Sequence, residues 1–320
     1  MLHPSALFEK DVRRYQEYIL NYGYCTLCNR ELAQGENVFV GEKADGNISV
    51  ACESCKNRIN ADAQHFVYHP KEYSVPKKDV LLWRYQDFPK FISLLDSGEL
   101  YFTRADRFED VFEGARGFNF QKAAIYDKLK QSLTLTVMSQ LRAAGIGNPT
   151  DNDVENKLKE EFESWLVTQE SKRREYFVSC WHANERESEA MWKLYITAKK
   201  QGVAIQTTME RLCYSIGKNG FEVGNVIYIS YEKPLESDAE PIWYKRTAFS
   251  HENEVRAIFR EVGTSKDGMP VMIDLDMLIE RVYVSPSAPG WFADLVRRVM
   301  NKYGLDKPVE YSRLDEKPIY

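Results

Sequence analysis

The apolar positions of this chain fall into short alternating runs and longer one-faced stretches, and the two periods divide it into elements. Val80-Leu81-Leu82-Trp83-Arg84-Tyr85 has the composition of a strand, and Phe88 to Ser97 follows with Phe91, Ile92, Leu94 and Leu95 on one side, a helix that Gly98 ends. Glu99 to Thr103 reads as a second strand, and Arg104 to Gly117 as a polar loop with an acidic Phe108-Glu109-Asp110 run. Helical patterns over Gln121 to Arg142 and Asp151 to Arg174, broken at Gly145-Ile146-Gly147-Asn148-Pro149, predict an inserted cap. Strands return at Tyr176 to Trp181, Gly202 to Thr207, Asn225 to Tyr231 and Glu254 to Arg260, with helices between them at Ser188 to Tyr195 and Thr208 to Ile216. A strand at Val282 to Val284, a helix at Gly290 to Tyr303 and a strand at Val309 to Ser312 close the chain. This order predicts a mixed α+β domain over residues 79–320, with 121–174 as a helical insertion.

Residues 1–75 read differently, because their apolar pattern is too sparse for an independent core without a staple. Cys25-Thr26-Leu27-Cys28 and Cys52-Glu53-Ser54-Cys55 supply one, as two C-x-x-C knuckles around β-like runs at Asn37 to Val40 and Ile48 to Ala51. An amphipathic helix at Leu7 to Leu20 precedes them and a helix at Lys56 to Phe66 follows, which together describe a treble-clef-like module. Four thiolates from Cys25, Cys28, Cys52 and Cys55 suit tetrahedral Zn²⁺; such a site is closed, so the ion stabilises the fold and does not catalyse. The absence of histidine between Asn29 and Ala51 argues against a metal-dependent nuclease. Pro70 to Lys78 reads as the linker between the two parts.

Composition narrows the functional classes. The chain has 320 residues, of which 43% are hydrophobic and 13% aromatic, enough to bury at least one large core. A net charge of −5 argues against a generic polyanion-binding surface, though not against a local basic patch. Six cysteines, four of them in close pairs, suit a reducing compartment, and no apolar run approaches the roughly 20 residues of a spanning helix; a cytoplasmic protein without membrane contact is expected. No P-loop, G-x-G-x-x-G, G-x-S-x-G or H-E-x-x-H motif is present.

The candidate chemistry lies where charge interrupts apolar strands, since burying an unpaired charge costs several kcal/mol (about 3–5 when one partner of a buried pair is lost). Arg84 is flanked by Trp83 and Tyr85. It reads either as an edge arginine stacked on aromatics or as a phosphate clamp. Glu252 and Glu254, placed on one strand, would share a face and repel unless a cation or a substrate separates them. They read either as rungs of a surface ladder of acids and bases or as catalytic carboxylates. Trp192 and Tyr195, three apart on a helix, are either core or an aromatic wall for a nicotinamide or adenine ring. His182 near Cys180 suggests a thiol–imidazole pair, but Cys180 reads better as a small buried hydrophobe.

Several of these blocks together resemble the bacterial domain of unknown function 2971, over about residues 80–312. They are Leu82 to Tyr85, Leu100 to Asp110 with Phe112-Glu113-Gly114, Ser179-Cys180-Trp181, Met191 to Tyr195, Gly202 to Ile205 and Glu252 to Arg256. A more distant similarity is to ADP-ribosyltransferases, which carry a strand arginine, a strand hydroxyl residue and a glutamate as successive motifs. That resemblance implies an ADP-ribosyltransferase-like mixed sheet and NAD as substrate. Arg84, with Tyr85 beside it, would hold the dinucleotide, Ser179 would stand in the second motif, and Tyr101 or Tyr195 would stack on nicotinamide with Trp192 in the wall. Glu254 would be catalytic and Glu252 would orient the acceptor, a protein or a nucleic acid, as in a toxin or phage-defence component. Here the second motif reads Ser179-Cys180-Trp181 where the family has Ser-Thr-Ser. The alternative is a zinc-containing, non-catalytic module that binds a nucleotide, a nucleic acid or a protein.

Overall fold

A computed structural model describes residues 23–42, 48–60, 63–67, 73–117, 121–196, 201–217, 220–230, 232, 235, 240–316 and 319. The expected helix at Leu7 to Leu20 and part of the expected linker lie outside the described residues. Strands β1 (Asn37–Glu42), β2 (Ile48–Cys52) and β3 (Gln64–Val67) form an antiparallel sheet in the order β2-β1-β3. Where Lys56 to Phe66 was expected to be a helix, the chain makes a 3₁₀ turn at Glu53–Arg58 and then adds β3 to the edge of β1. A helix there would leave that edge of β1 unpaired, and Gln64-His65-Phe66-Val67 has the aromatic and β-branched content of a strand.

Nine of the remaining strands build one mixed sheet of an α+β fold. Strand β4 (Leu81–Asp87) runs into helix α1 (Phe88–Ser97), where Asp87 Oδ1 accepts from the Lys90 N–H at 2.8 Å and Gly98 ends the helix at φ 64°. Strand β5 (Glu99–Arg104) follows, then a helical hairpin of α2 (Lys122–Ala143) and α3 (Asp151–Arg173), then β6 (Tyr176–Ala183). Helix α4 (Glu189–Tyr195), strand β7 (Gly202–Thr208) and helix α5 (Met209–Ser215) come next. Strand β8 (Phe221–Asn225) joins the large sheet, while β9 (Ile227–Ile229) and β10 (Tyr244–Arg246) pair only with each other, in parallel. Where one strand was expected from Asn225 to Tyr231, the chain thus divides between two sheets. Strands β11 (Glu254–Arg260) and β12 (Gly268–Met272), helix α6 (Leu275–Leu278), strand β13 (Arg281–Val284), helix α7 (Phe292–Lys302) and strand β14 (Val309–Tyr311) complete the fold. The sequence reading missed β12, which carries Pro270 and is tolerated because it is an edge strand.

Strand β6 has three neighbours, and this positions the buried charges of the sheet. Its one edge pairs with β11 over the whole length from Glu254↔His182 to Arg260↔Tyr176. Its other edge is shared between β5, through Thr103↔Val178 and Arg104↔Phe177, and β4, through Leu82↔Ala183 and Trp83↔His182. Between those short ladders the sheet is split along residues 179–181. Alternation then places Leu82, Trp181 and Val255 on one face, in the main core with Phe91, Leu212 and Phe292. The opposite face carries two smaller apolar clusters, Trp83, Tyr85, Met191, Trp192 and Ala204 on one side and Tyr73, Val178, Ile242, Trp243 and Ile258 on the other.

Tyr73, expected in the linker, is instead buried, stacked on Trp243 at 3.6 Å between ring centroids and donating its hydroxyl to Glu222 Oε2 at 2.7 Å. Its ring lies where a Cβ on Gly224 would meet Cδ2 at 2.1 Å. Gly224→Ala is therefore expected to destabilise the protein by about 1–3 kcal/mol through overpacking. Urea titration measures this, and an unchanged midpoint would contradict the tight seating of Tyr73.

Candidate functional site

Between the two small clusters lies a layer of buried charge. Register puts Glu254, Arg256, Cys180 and His182 on that face of β11 and β6. Arg256 is completely buried; its Nε donates to Glu254 Oε1 at 2.7 Å and its Nη2 reaches Glu113 Oε2 at 2.7 Å. Lys245, brought in by β10, donates to Glu252 Oε2 at 2.8 Å and Glu254 Oε2 at 3.0 Å, with Glu113 Oε1 at 3.5 Å. The backbone N–H of Glu254 donates to the Tyr228 hydroxyl at 2.9 Å. Three carboxylates face two cations, so the layer carries one formal negative charge in excess.

Glu252 does not share a strand with Glu254, as the alternation had it. Glu252 ends a 3₁₀ turn, Asn253 takes the left-handed conformation at φ 43°, and β11 starts only at Glu254. The two carboxylates still converge, because Lys245 holds both. The surface-ladder account of this block does not survive, since Glu252, Glu254 and Arg256 are all buried. Burial pushes the Glu254 carboxyl up, but Arg256 and Lys245 beside it pull it down further, to well below the usual carboxylate range. Glu254 is held as an anion.

Arg84 occupies the split in the sheet. Its Nη1 donates to Ser179 Oγ at 2.6 Å and to the Cys180 carbonyl at 3.2 Å, an acceptor that neither β4 nor β5 pairs. The guanidinium lies over the Trp181 ring at 5.6 Å. Among the described residues no carboxylate pairs with it, whereas buried Arg104 and Arg256 both have carboxylate partners. Burial pulls its pKa down, against the opposing influence of Cys180 and Tyr195. An uncompensated guanidinium of this kind is suited to an anionic ligand.

The aromatic candidates separate. Tyr85 is buried and its hydroxyl accepts from the Ser188 N–H at 2.8 Å; its ring stacks on Tyr195 at 6.4 Å and meets Trp192 edge-on at 5.0 Å. Tyr195 is 39% exposed and packs against His182 at 5.4 Å, so it forms the outer rim of the group. Of the two readings of Trp192, core and aromatic wall, its burial favours core: it is only 3% exposed, with its Nε1–H donating to Glu187 Oε2 at 2.8 Å. Tyr101 does not join the group: it stands half-exposed on β5, opposite Pro270 of β12, with its hydroxyl against Gly268.

Three participants escaped the sequence reading as site residues: Lys245, Arg256 and Glu113. Glu113 lay in the Phe112-Glu113-Gly114 block and Arg256 in the Glu252 to Arg256 block, and both were noted only as parts of a pattern. His182 Nδ1 lies 2.8 Å from the Glu252 carbonyl, which can only accept, so the proton sits on Nδ1 and Nε2 presents a lone pair. Burial lowers the His182 pKa, which keeps the ring neutral. The Cys180 thiol is pushed well up by burial, in keeping with an unreactive side chain.

A second site lies in the three-stranded sheet. The sulfurs of Cys25, Cys28, Cys52 and Cys55 all fall within 4.8 Å of one another, and Cys28 Sγ is 3.9 Å from Cys52 Sγ. Four thiolates around a tetrahedral ion with bonds of about 2.3 Å require similar sulfur separations, so the donor set fits such a metal.

No family model and no curated protein matches the chain. The resemblance to the domain of unknown function 2971 therefore rests on its short blocks alone. Among solved structures, two chains of Thermus sp. 2.9 DarT align with 76% of this chain. One, in complex with NAD+, is covered to 100% at 7% identity; the other, in complex with ADP-ribosylated ssDNA, to 97% at 9% identity. The TM-score is 0.34 for both, a likeness too low to carry an argument. Among the described residues no helix is long and apolar enough to cross a membrane.

Proposed function

We propose that the large sheet is the catalytic part of an ADP-ribosyltransferase-like enzyme that uses NAD. The observation that supports this reading is the presence of unlike sites on the two strands that flank β6. Arg84, on β4, is a guanidinium without a carboxylate; Glu254, on β11, is an anion in a layer with one carboxylate in excess. NAD has the matching polarity, an anionic pyrophosphate and a cationic nicotinamide ring. Arg84 anchors the pyrophosphate, and Ser179 orients Arg84 through their hydrogen bond. Tyr195, with Tyr85 behind it, walls the nicotinamide.

In the reaction the bond between ribose C1′ and nicotinamide nitrogen breaks, and nicotinamide leaves with the bonding electrons. Glu254 stabilises the positive charge that develops on the ribose, a task for which a pre-ionised carboxylate needs no rearrangement. An acceptor nucleophile then bonds to C1′ and gives up its proton, with Glu252 orienting it and the Nε2 of His182 placed to receive the proton. The acceptor is a macromolecule, protein or nucleic acid. The four-cysteine site holds Zn²⁺ as a structural ion and positions the acceptor.

The test incubates the purified protein with NAD labelled on the adenylate, alone and with cell extract as a source of acceptor. Glu254→Gln is expected to lower nicotinamide release by about 100-fold or more, the scale seen when a group stabilising transition-state charge is removed. Arg84→Gln is expected to raise KM. Wild-type rates in Glu254→Gln would end this reading. A non-catalytic module is the second reading, favoured by the ion pairs that already occupy Glu254. NAD binding without turnover, lost in Arg84→Gln and kept in Glu254→Gln, would establish it.

A further inference from the structure

A cavity of about 570 Å³ lies between the helical hairpin and the far end of the sheet, away from Arg84 and Tyr195. Its size is that of small-molecule sites, about 300–1,000 Å³. Arg116, Lys122, Lys172, Arg173 and Arg260 line it, against Glu170 and Glu240. Such an excess of cations in a chain of net charge −5 is local and concentrated.

These cations are not equivalent. Lys122 is 2.9 Å from Glu163 Oε1, and Arg260 pairs with Glu175. Arg116 is held in place, donating from Nε to Gln169 Oε1 at 2.9 Å and lying over the Trp165 ring at 5.7 Å. Arg173 and Lys172 have no ion-pair partner among the described residues, and the Nε of Arg173 is buried without any hydrogen bond. Both stand in the last turn of α3, where the helix dipole favours cations. The dipole does not account for a buried, unsatisfied donor, which costs free energy until an acceptor reaches it. Leu166, Pro241, Ile242 and Tyr176 supply apolar surface beside the cations.

We propose that this cavity binds a phosphorylated small molecule of nucleotide size, with its phosphate between Arg173, Lys172 and Arg116 and its flat apolar part against Tyr176 and Ile242. A phosphate has enough acceptor oxygens to serve several guanidinium and ammonium donors at once. The site does not depend on the NAD reading, since it shares neither Arg84 nor Tyr195. Its floor nevertheless touches the charged layer: the Ile242 carbonyl accepts from Arg256, and Gly114 follows Glu113 directly.

Calorimetric titration of the full chain with AMP and with ATP, and with inorganic phosphate as competitor, tests the proposal. Wild type is expected to bind, with affinity falling as salt rises. Arg173→Gln and Arg116→Gln are each expected to weaken binding about tenfold or more. Lys172→Gln, at an exposed side chain, takes the place of Arg173→Gln should that variant fail to fold. No heat of binding at millimolar nucleotide would overturn the proposal. So would affinity unmoved by the cavity substitutions, or binding lost in Arg84→Gln alone, which would place the nucleotide in the sheet split. Failure of the NAD test leaves these outcomes readable, because none of them uses turnover.

Discussion

Removing the metal with a chelator is expected to unfold residues 23–67. The three-stranded sheet contributes few buried apolar side chains of its own, chiefly Leu32, Val38, Val40, Val50 and Ile59, and two of its strands have only five and four residues. A core of that size supplies little stability alone. Structural zinc supplies about 10–16 kcal/mol at neutral pH, as much as the whole stability of a typical domain, about 5–15 kcal/mol. Hydrogen exchange reads the effect residue by residue: amides of β1 and β2 are expected to lose protection on chelation, with release of one zinc per chain. Because Val38 and Ile59 belong to the same continuous apolar cluster as Leu82 and Trp181, the large sheet is expected to lose some stability as well. Cys52→Ser should reproduce the chelated state. Full protection of β1 after confirmed metal loss, or purified protein without metal, would show that the thiols do not act as this geometry implies.

Arg256→Met is expected to cost about 3–5 kcal/mol, the loss found when one partner of a buried ion pair is removed and the other is left. The substitution keeps much of the volume and takes away the cation between Glu254 and Glu113. Lys245 then faces three buried carboxylates alone. The pH dependence has a definite sign. A carboxylate whose folded pKa is depressed contributes stability above its unfolded value, about 4.3, and that contribution disappears as pH falls toward the folded value. In wild type that loss is confined to strongly acid solution, since Glu254 lies well below the usual range. Without Arg256 the depression shrinks, so acid unfolding is expected to begin at higher pH. Urea titrations at neutral and acid pH measure both effects. A loss under about 1 kcal/mol with an unmoved acid limb would mean that the charged layer is not buried as described.

Much of the fold could be read from the chain because its elements announce themselves locally. The strand at Glu254–Arg260 has the expected bounds, and α1 ends at Gly98 for the reason its sequence suggests. What could not be read depends on contacts between distant residues. The 3₁₀ turn around Cys55 gives way to β3 only because β1 offers it an edge. Likewise Lys245 is an ordinary lysine in a short polar segment until β10 pairs with β9 and delivers it between Glu252 and Glu254. The repulsion between those two glutamates was visible, and with it the need for a cation, but not the identity of that cation. Arg84 drew attention as a charge in an apolar strand; its position in a split sheet required the pairing of β6 with both β4 and β5.

The branching at β6 also has a kinetic side. Its two edges are completed by strands that lie before and after it in the chain, with the whole α2–α3 hairpin separating it from β5 and four further strands from β11. As the ribosome releases the chain, β4 and β5 appear first and have no β6 to join them; when β6 arrives, its far edge still waits for β11. Long-range pairing of this kind folds slowly and leaves strand edges open meanwhile. The split that gives Arg84 its place thus belongs to a strand, β6, one edge of which stays open until β11 has been made.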